Sequence, residues 1–388
     1  MKEGARTLAE VAIAVAIVAG FMLWYCGVSR SAFVGLAGRA RAVACRPDYD
    51  VVPLGWGPAS RVYDVSDTGL VVGIGDAGGR RRVALTWRDG ETVCCGDRSK
   101  YQHAVDSDQD GRVAFNLAPA HPSQWRAFVG LPGQAALPLR VPDPGCRCQA
   151  RGMNRSGTVV GVVVRSGEAG RACVWDADGA VIVLDAPPSR ATGISDAGTI
   201  VGHVMESSGR DVVRLWLPEG EGWRSVDLTA DIPAGARPYA ISSNGVVVGA
   251  IGKSVPFRWA SGSGLHRLPV PDDQPGIAWG VNSRGEAVGH RGSDGGGRAL
   301  LWRDDAVIDL NSRIDALSGW HLQQATAIND AGIIACVGIR DEMFEAVLLI
   351  PREAAPQGQG LSGPGHEPLQ GGDGAPSARS SPTPADRG

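Results

Sequence analysis

One motif recurs seven times along this chain, and its spacing limits the fold more than any other feature. It consists of an apolar residue, then Ser, Asn or Asp, two or three small or polar residues, Gly, and a short β-branched run that usually ends in a second Gly. The copies read VSDTGLVVG from Val65, MNRSGTVVG from Met153, ISDAGTIVG from Ile194, ISSNGVVVG from Ile241 and VNSRGEAVG from Val281. The last, INDAGIIAC from Ile328, ends in Cys336, and a degenerate copy, VDSDQDGRVAF from Val105, reads as the same turn with an insertion. The turn glycines Gly69, Gly111, Gly157, Gly198, Gly245, Gly285 and Gly332 lie 40 to 47 residues apart. A fixed period of this size marks a solenoid or a propeller.

Each copy has the chemistry of a tight hairpin. Asn and Asp bond their own main chain, Gly supplies positive φ, and Val/Ile runs suit a pleated, half-buried surface. A tryptophan follows the Gly by 14 to 18 residues in six units, at Trp87, Trp125, Trp175, Trp216, Trp259 and Trp302, with Leu348 in the seventh. A further short stretch then closes each unit, as in WRSVDL from Trp223 or AVIDL from Ala306. Four strands per unit match a propeller blade, and a ring leaves no blade with an uncovered apolar face. The seventh unit has only three strands before Pro351, whereas YDVVPL from Tyr49 precedes the first hairpin and has the pattern of a fourth strand. The sequence therefore predicts an all-β, seven-bladed β-propeller latched by its N-terminal strand.

Composition agrees. Among 388 residues, 55 are Gly and 25 are Pro, and together they demand many turns, while 43% hydrophobic content is enough for a packed core. A net charge of −3 lacks the basic excess that phosphate backbones need, so no nucleic-acid partner is expected.

Residues 8–28, beginning at Leu8 and ending at Val28, carry Glu10 as their only charge, and the aromatic pair Trp24 and Tyr25 stands near one end. At 1.5 Å per residue this run spans roughly the 30 Å of a bilayer core, which predicts one transmembrane helix or signal segment. Residues 1–30 read as this anchor, 31–48 as a linker and 49–351 as the propeller. Residues 352–388, rich in Pro, Gly and Ser, read as a disordered tail. The expected location is a single-pass membrane protein with an extracytoplasmic domain, or a secreted protein if the segment is cleaved.

With INDAGIIA, ISDAGTIVG, the Trp stretches and the opening YDVVPLG in view, the chain resembles the HAF-repeat proteins, also called extracellular HAF-family repeat proteins. The resemblance covers residues 49–351. It implies export and a propeller-like fold, and it brings no catalytic residues.

Several residues stand out as candidates. Asp106, Asp108 and Asp110 before Gly111 have the D-x-D-x-D-G form of a calcium loop, although Leu117 and Ala114 stand where further ligands would be needed. No other cofactor is indicated. His203 and His290 follow the motif Gly in non-adjacent units, which does not suit a shared metal. Cys94 and Cys95, and Cys146 and Cys148, read as lying near the ends of fourth strands in neighbouring blades, where bridging, zinc binding and free thiols are the alternatives. Trp56, Trp279 and Trp320 fall between repeat elements, where loops meet one face of the ring, and are the candidates for ligand contact. Loops with Gly and Arg, such as 76–82, 165–171 and 291–298, suit recognition.

The functional reading is a binding or scaffolding module with a protein or glycan on one propeller face. One alternative is a propeller enzyme acting on a glycan, which would need two carboxylates facing each other across the channel beside an aromatic platform. Another is a structural envelope or pilus-associated protein, because RTLAEV from Arg6 resembles the start of a type IV pilin-like signal.

Overall fold

The computed structural model describes residues 47–76, 82–96, 101–118, 125–252, 254–292 and 297–352. They form seven four-stranded antiparallel sheets. The first strand, β1 (Tyr49–Pro53), belongs to the last sheet. Blade one holds β2 (Arg61–Val65), β3 (Val71–Asp76), β4 (Arg82–Arg88) and β5 (Glu91–Cys94), and blade two β6 (Tyr101–Ser107), β7 (Val113–Ala118), β8 (Arg126–Gly130) and β9 (Leu137–Pro138). Blade three holds β10 (Cys146–Met153), β11 (Val159–Arg165), β12 (Arg171–Trp175) and β13 (Val181–Val183). Blade four follows with β14 (Ser189–Ile194), β15 (Ile200–Met205), β16 (Asp211–Glu219) and β17 (Gly222–Asp227). Blade five comprises β18 (Ala236–Ile241), β19 (Val247–Ile251), β20 (Val255–Ala260) and β21 (Gly264–Arg267). Blade six comprises β22 (Gly276–Val281), β23 (Ala287–Arg291), β24 (Arg298–Arg303) and β25 (Ala306–Asp309). Blade seven contains β26 (His321–Ile328), β27 (Ile334–Arg340) and β28 (Met343–Pro351), and β1 completes it.

The ring closes as the pattern predicts. Val51 pairs with Leu349 and Val52 with Leu348, so the N-terminal strand supplies the outer strand of blade seven. Arg352 then bonds the Asp50 carboxylate, with Nη2 at 2.6 Å. Packing follows the same symmetry: seven apolar clusters form, one at each blade interface, including one between blades seven and one. A blade buries both faces only because it has a neighbour on each side.

The recurrent turn residue is a main-chain acceptor in every blade. Ser66, Asp108, Asn154, Ser195, Ser242, Asn282 and Asn329 each accept the backbone N–H four residues on, at 2.8 to 3.2 Å. This local bond explains why only short polar side chains occur there. The second blade has the same turn without an insertion: Asp108 N–H donates to Arg112 O and Gly111 N–H to Asp108 O, as Ser66 and Gly69 do in blade one. Ser107, not Val105, therefore occupies the apolar position.

The tryptophan column holds in five blades. Trp87, Trp175, Trp216, Trp259 and Trp302 sit opposite Val71, Val159, Ile200, Val247 and Ala287. Three of these indoles donate to the segment that enters their blade: Trp175 to Arg140 O, Trp302 to Pro269 O and Trp259 to Asp231 Oδ2. Register corrects the other two blades. Gly130 takes the position in blade two, with Trp125 ahead of its strand, and Leu349 rather than Leu348 takes it in blade seven. Residues 8–28 and the tail beyond Arg352 lie outside the described residues, among which no helix is long and apolar enough to cross a membrane.

Candidate functional site

All seven inner strands carry a β-bulge at one place. The register skips Tyr63, Val105, Arg151, Thr192, Tyr239, Trp279 and Thr326, one residue in each of β2, β6, β10, β14, β18, β22 and β26. A bulge leaves its extra residue unpaired and re-aims the side chain. Here those residues form a ring around a central throat of about 180 Å³. The bulge also explains the closing Gly of the motif. A Cβ at Gly73, Gly161, Gly202, Gly249 or Gly289 would lie 1.9 to 2.2 Å from the carbonyl oxygen two residues before the bulge. Blade seven, with Cys336 in that place, has a second register shift between Leu322 and Gln324. Nothing in the structure explains how blade two accommodates Phe115 there.

At the turn face an ion-pair grid crosses the channel. The Arg155 side chain from blade three reaches Asp67 of blade one, and its Nε lies 3.2 Å from the Asp196 carboxylate of blade four. Backbone amides reinforce the circle: Arg155 N–H donates to Asp196, Ser283 N–H to Asp330, and Asp330 N–H to Asp67 at 2.8 Å. Asn329 Nδ2 donates to Ser66 O across the seam between blades seven and one. A pocket of about 170 Å³ at this face is lined by all seven turns, the grid residues among them.

Between throat and grid stand Asp64 and Asp106, which line both spaces and hydrogen-bond to one another. Asp106 also accepts Ser107 N–H and Met153 N–H, each at 2.7 Å. Burial pushes Asp64 up to about 6 and raises Asp106, on which the charge of Asp64 acts in the same direction. Two carboxyls in contact share one proton, because both cannot ionise cheaply.

The opposite face is open and cationic. A cavity of about 630 Å³ lies at the mouth over blades three to five and shares Arg151, Thr192 and Tyr239 with the throat. Arg151, Arg190 and Arg237 contribute to its walls, together with His203, Asp211 and Glu168. Arg237 is committed to Asp211 at 2.6 Å, and Glu168 leans to Arg165 at 3.9 Å. Among the described residues, neither Arg151 nor Arg190 has a carboxylate partner; Arg151 bonds only the Gln149 amide oxygen at 3.2 Å. Burial, and then the charge of Arg190, lowers the pKa of Arg151. Burial likewise holds His203 below its ordinary value, despite Asp211, and its Nδ1 is buried without a hydrogen-bond partner among the described residues. His103, pushed down to about 4 by burial and by Arg151, packs edge-on to Tyr63 at 4.3 Å.

The residues singled out in the sequence are scattered relative to this mouth. Trp56 is 2% exposed and packs in the interface of blades seven and one, with Nε1 donating to Thr92, so it is core rather than a ligand contact. Trp320 packs against Arg340, whose guanidinium lies 4.4 Å from the ring, away from the channel-lining set. Trp279 alone of the three reaches the channel, where it stacks with His290, donates to its Nδ1 at 3.0 Å, and meets Tyr239 at 4.4 Å. The calcium reading fails on geometry. Asp108 spends its oxygens on Asp110 N–H, Arg112 N–H and the Arg112 guanidinium, while Asp106 turns to Asp64 and Met153. No metal-holding group of three His, Cys, Asp or Glu occurs among the described residues. Cys146 and Cys148 lie on the inner strand of blade three, so they are not in the blade next to Cys94 and Cys95; all four are buried free thiols. His203 faces Asp211 at 3.9 Å in one blade and His290 bonds Trp279 in another.

Sequence reasoning missed Arg151, Arg190, Tyr239 and Asp64, and it singled out Asp106 for calcium rather than for its bond to Asp64. A signal existed: the bulge residue stands two positions before the apolar residue that opens each repeat, so Tyr63, Arg151, Thr192, Tyr239, Trp279 and Thr326 form a column when the repeats are aligned on their turns.

This architecture is a seven-bladed β-propeller, and solved structures with diverse roles share it. The structure titled "YCF48 bound to D1 peptide" matches with a TM-score of 0.51 at 13% identity, covering 80% of this chain and 98% of that one. The β-propeller domain of the Trilobed protease from Pyrococcus furiosus gives 0.51 at 10% identity, over 75% and 95% of the two chains. A puromycin-hydrolyzing peptidase of Mycobacterium tuberculosis gives 0.52 at 12% identity, over 76% of this chain and 51% of that one. Identities this low establish the fold and nothing finer. No family model and no curated protein matches the chain.

Proposed function

We propose that this chain is a binding module that takes an anionic ligand into the cationic mouth of its channel, on the face opposite the Arg155 grid. The observation that carries this reading is the pair Arg151 and Arg190, which face a 630 Å³ cavity without carboxylate partners among the described residues. Unmatched guanidiniums in a confined space are stabilised by an incoming anion, with which they form charge-assisted bonds. The Arg155 grid across the turn face supports entry from the mouth. A neighbour of this fold whose title names a bound peptide supports a propeller of this size as a peptide receptor. The apolar residues 8–28 support an extracytoplasmic propeller on a membrane anchor, and the turn motifs support a place among the HAF-repeat proteins. The glycan-cleaving alternative draws on Asp64, Asp106 and the aromatic throat. These carboxyls touch, however, whereas glycosidic cleavage uses carboxylates held about 5 Å or more apart.

The test is fluorescence anisotropy of the full-length chain with a labelled peptide bearing three glutamates, against the same peptide with glutamines. Binding that needs the glutamates, weakens with salt and falls at least tenfold in Arg190→Gln supports the reading. Equal binding of both peptides, or an unchanged affinity in the variant, overturns it.

A further inference from the structure

The mouth has more structure than a generic basic patch. Resting on the reading above, we infer that the cavity is built for a phosphate monoester carried on an aromatic or other flat apolar group. Charge is the first argument. Arg237 is neutralised by Asp211 at 2.6 Å and Glu168 shares Arg165 with Asp143, while Arg151 and Arg190 are two guanidiniums with no carboxylate within ion-pair distance among the described residues. A carboxylate or sulfate ester brings one negative charge, whereas a phosphate monoester brings close to two near neutral pH. The second argument is the direction of the donors. Arg151 comes from β10 and Arg190 from β14, so an anion here meets two guanidiniums from neighbouring blades. Two such forks offer more N–H donors than the two oxygens of a planar carboxylate can all accept in line, and the three terminal oxygens of a phosphate monoester suit them better.

The flat group follows from continuity with the throat. Tyr239 belongs to both spaces, and its ring lies 4.4 Å from that of Trp279, which gives an aromatic wall directly beyond the arginines.

Isothermal titration of the full-length chain decides the matter, with phenyl phosphate, inorganic phosphate, phenyl sulfate and benzoate as probes. Phenyl phosphate should bind at least tenfold more tightly than benzoate or phenyl sulfate, and more tightly than inorganic phosphate. Arg190→Gln should weaken phenyl phosphate at least tenfold. Tyr239→Ala should weaken phenyl phosphate while leaving inorganic phosphate within twofold, and unchanged circular dichroism melts exclude misfolding as the cause. If benzoate or phenyl sulfate binds as well as phenyl phosphate, the phosphate inference falls while the anion-binding reading stands. If none binds and the triglutamate peptide also fails, both fall.

Discussion

Replacing Asp64 by Asn probes the carboxyl pair beneath the throat. The pair sits in the channel wall, where Asp106 also accepts two backbone amides, and the hydrogen bond between the carboxyls lowers Asp64 and raises Asp106. Burial lifts Asp64 from 3.8 to about 6. The folded chain therefore keeps a proton that the unfolded chain has already released across this window, and stability falls as pH rises through it. A shift of roughly two pH units corresponds to about 3 kcal/mol at full separation, and sharing of the proton with Asp106 lowers the expected effect to about 2 kcal/mol. An asparagine at position 64 offers an N–H donor to Asp106 at every pH and has nothing to ionise. Urea unfolding should find Asp64→Asn ahead of the natural protein by about 1 kcal/mol at pH 5, where the unfolded carboxyl has ionised and the folded one has not, and by about 2 kcal/mol at pH 8. A variant that is less stable at pH 8, or one whose difference from the natural protein does not change between the two pH values, refutes the shared proton.

Four further substitutions test the packing. Gly289→Ala places a Cβ 1.9 Å from Ile277 O and should cost about 3 kcal/mol or more in thermal melts, whereas Gly262→Ala, with nothing within 4 Å, should stay within about 0.5 kcal/mol. Trp302→Ala removes a side chain that is 1% exposed together with its bond to Pro269 O, and urea titration should show a loss of about 3 to 5 kcal/mol. Arg155→Ala dismantles an ion-pair grid whose members are largely open to water, with the Arg155 side chain 51% exposed, so its cost should stay below about 1 kcal/mol despite the number of bonds lost.

The ring was legible in the sequence because its information is local. Each turn carries its own acceptor, as Ser195 and Asn282 do, and each third strand except those of blades two and seven carries a tryptophan opposite the second strand. The orphan stretch at Tyr49 and the three-stranded seventh unit were enough to imply closure. The mouth was not legible, because circular stacking brings Arg151, Arg190 and Tyr239 together and bulges re-aim Arg151 and Tyr239, and neither leaves an alternation pattern in one strand. Trp56 misled for a related reason: its place between strands suggested a loop, yet Gly73 and Gly75 leave room for its ring in the blade interface. The aspartates before Gly111 misled because Asp108 serves the turn, as its counterpart does in every repeat, and Asp106 accepts Met153 N–H from the next blade.

The most direct test of the account is a cross-link at the latch. Asp50 lies opposite Ile350 on β1 and β28, and directly opposed antiparallel residues are within disulfide reach. With Asp50→Cys and Ile350→Cys combined, mild oxidation and peptide mass spectrometry should recover a disulfide joining positions 50 and 350 within one chain. A cross-link found only between chains, or none at all while circular dichroism shows a folded protein, would contradict a ring sealed by its own N-terminal strand.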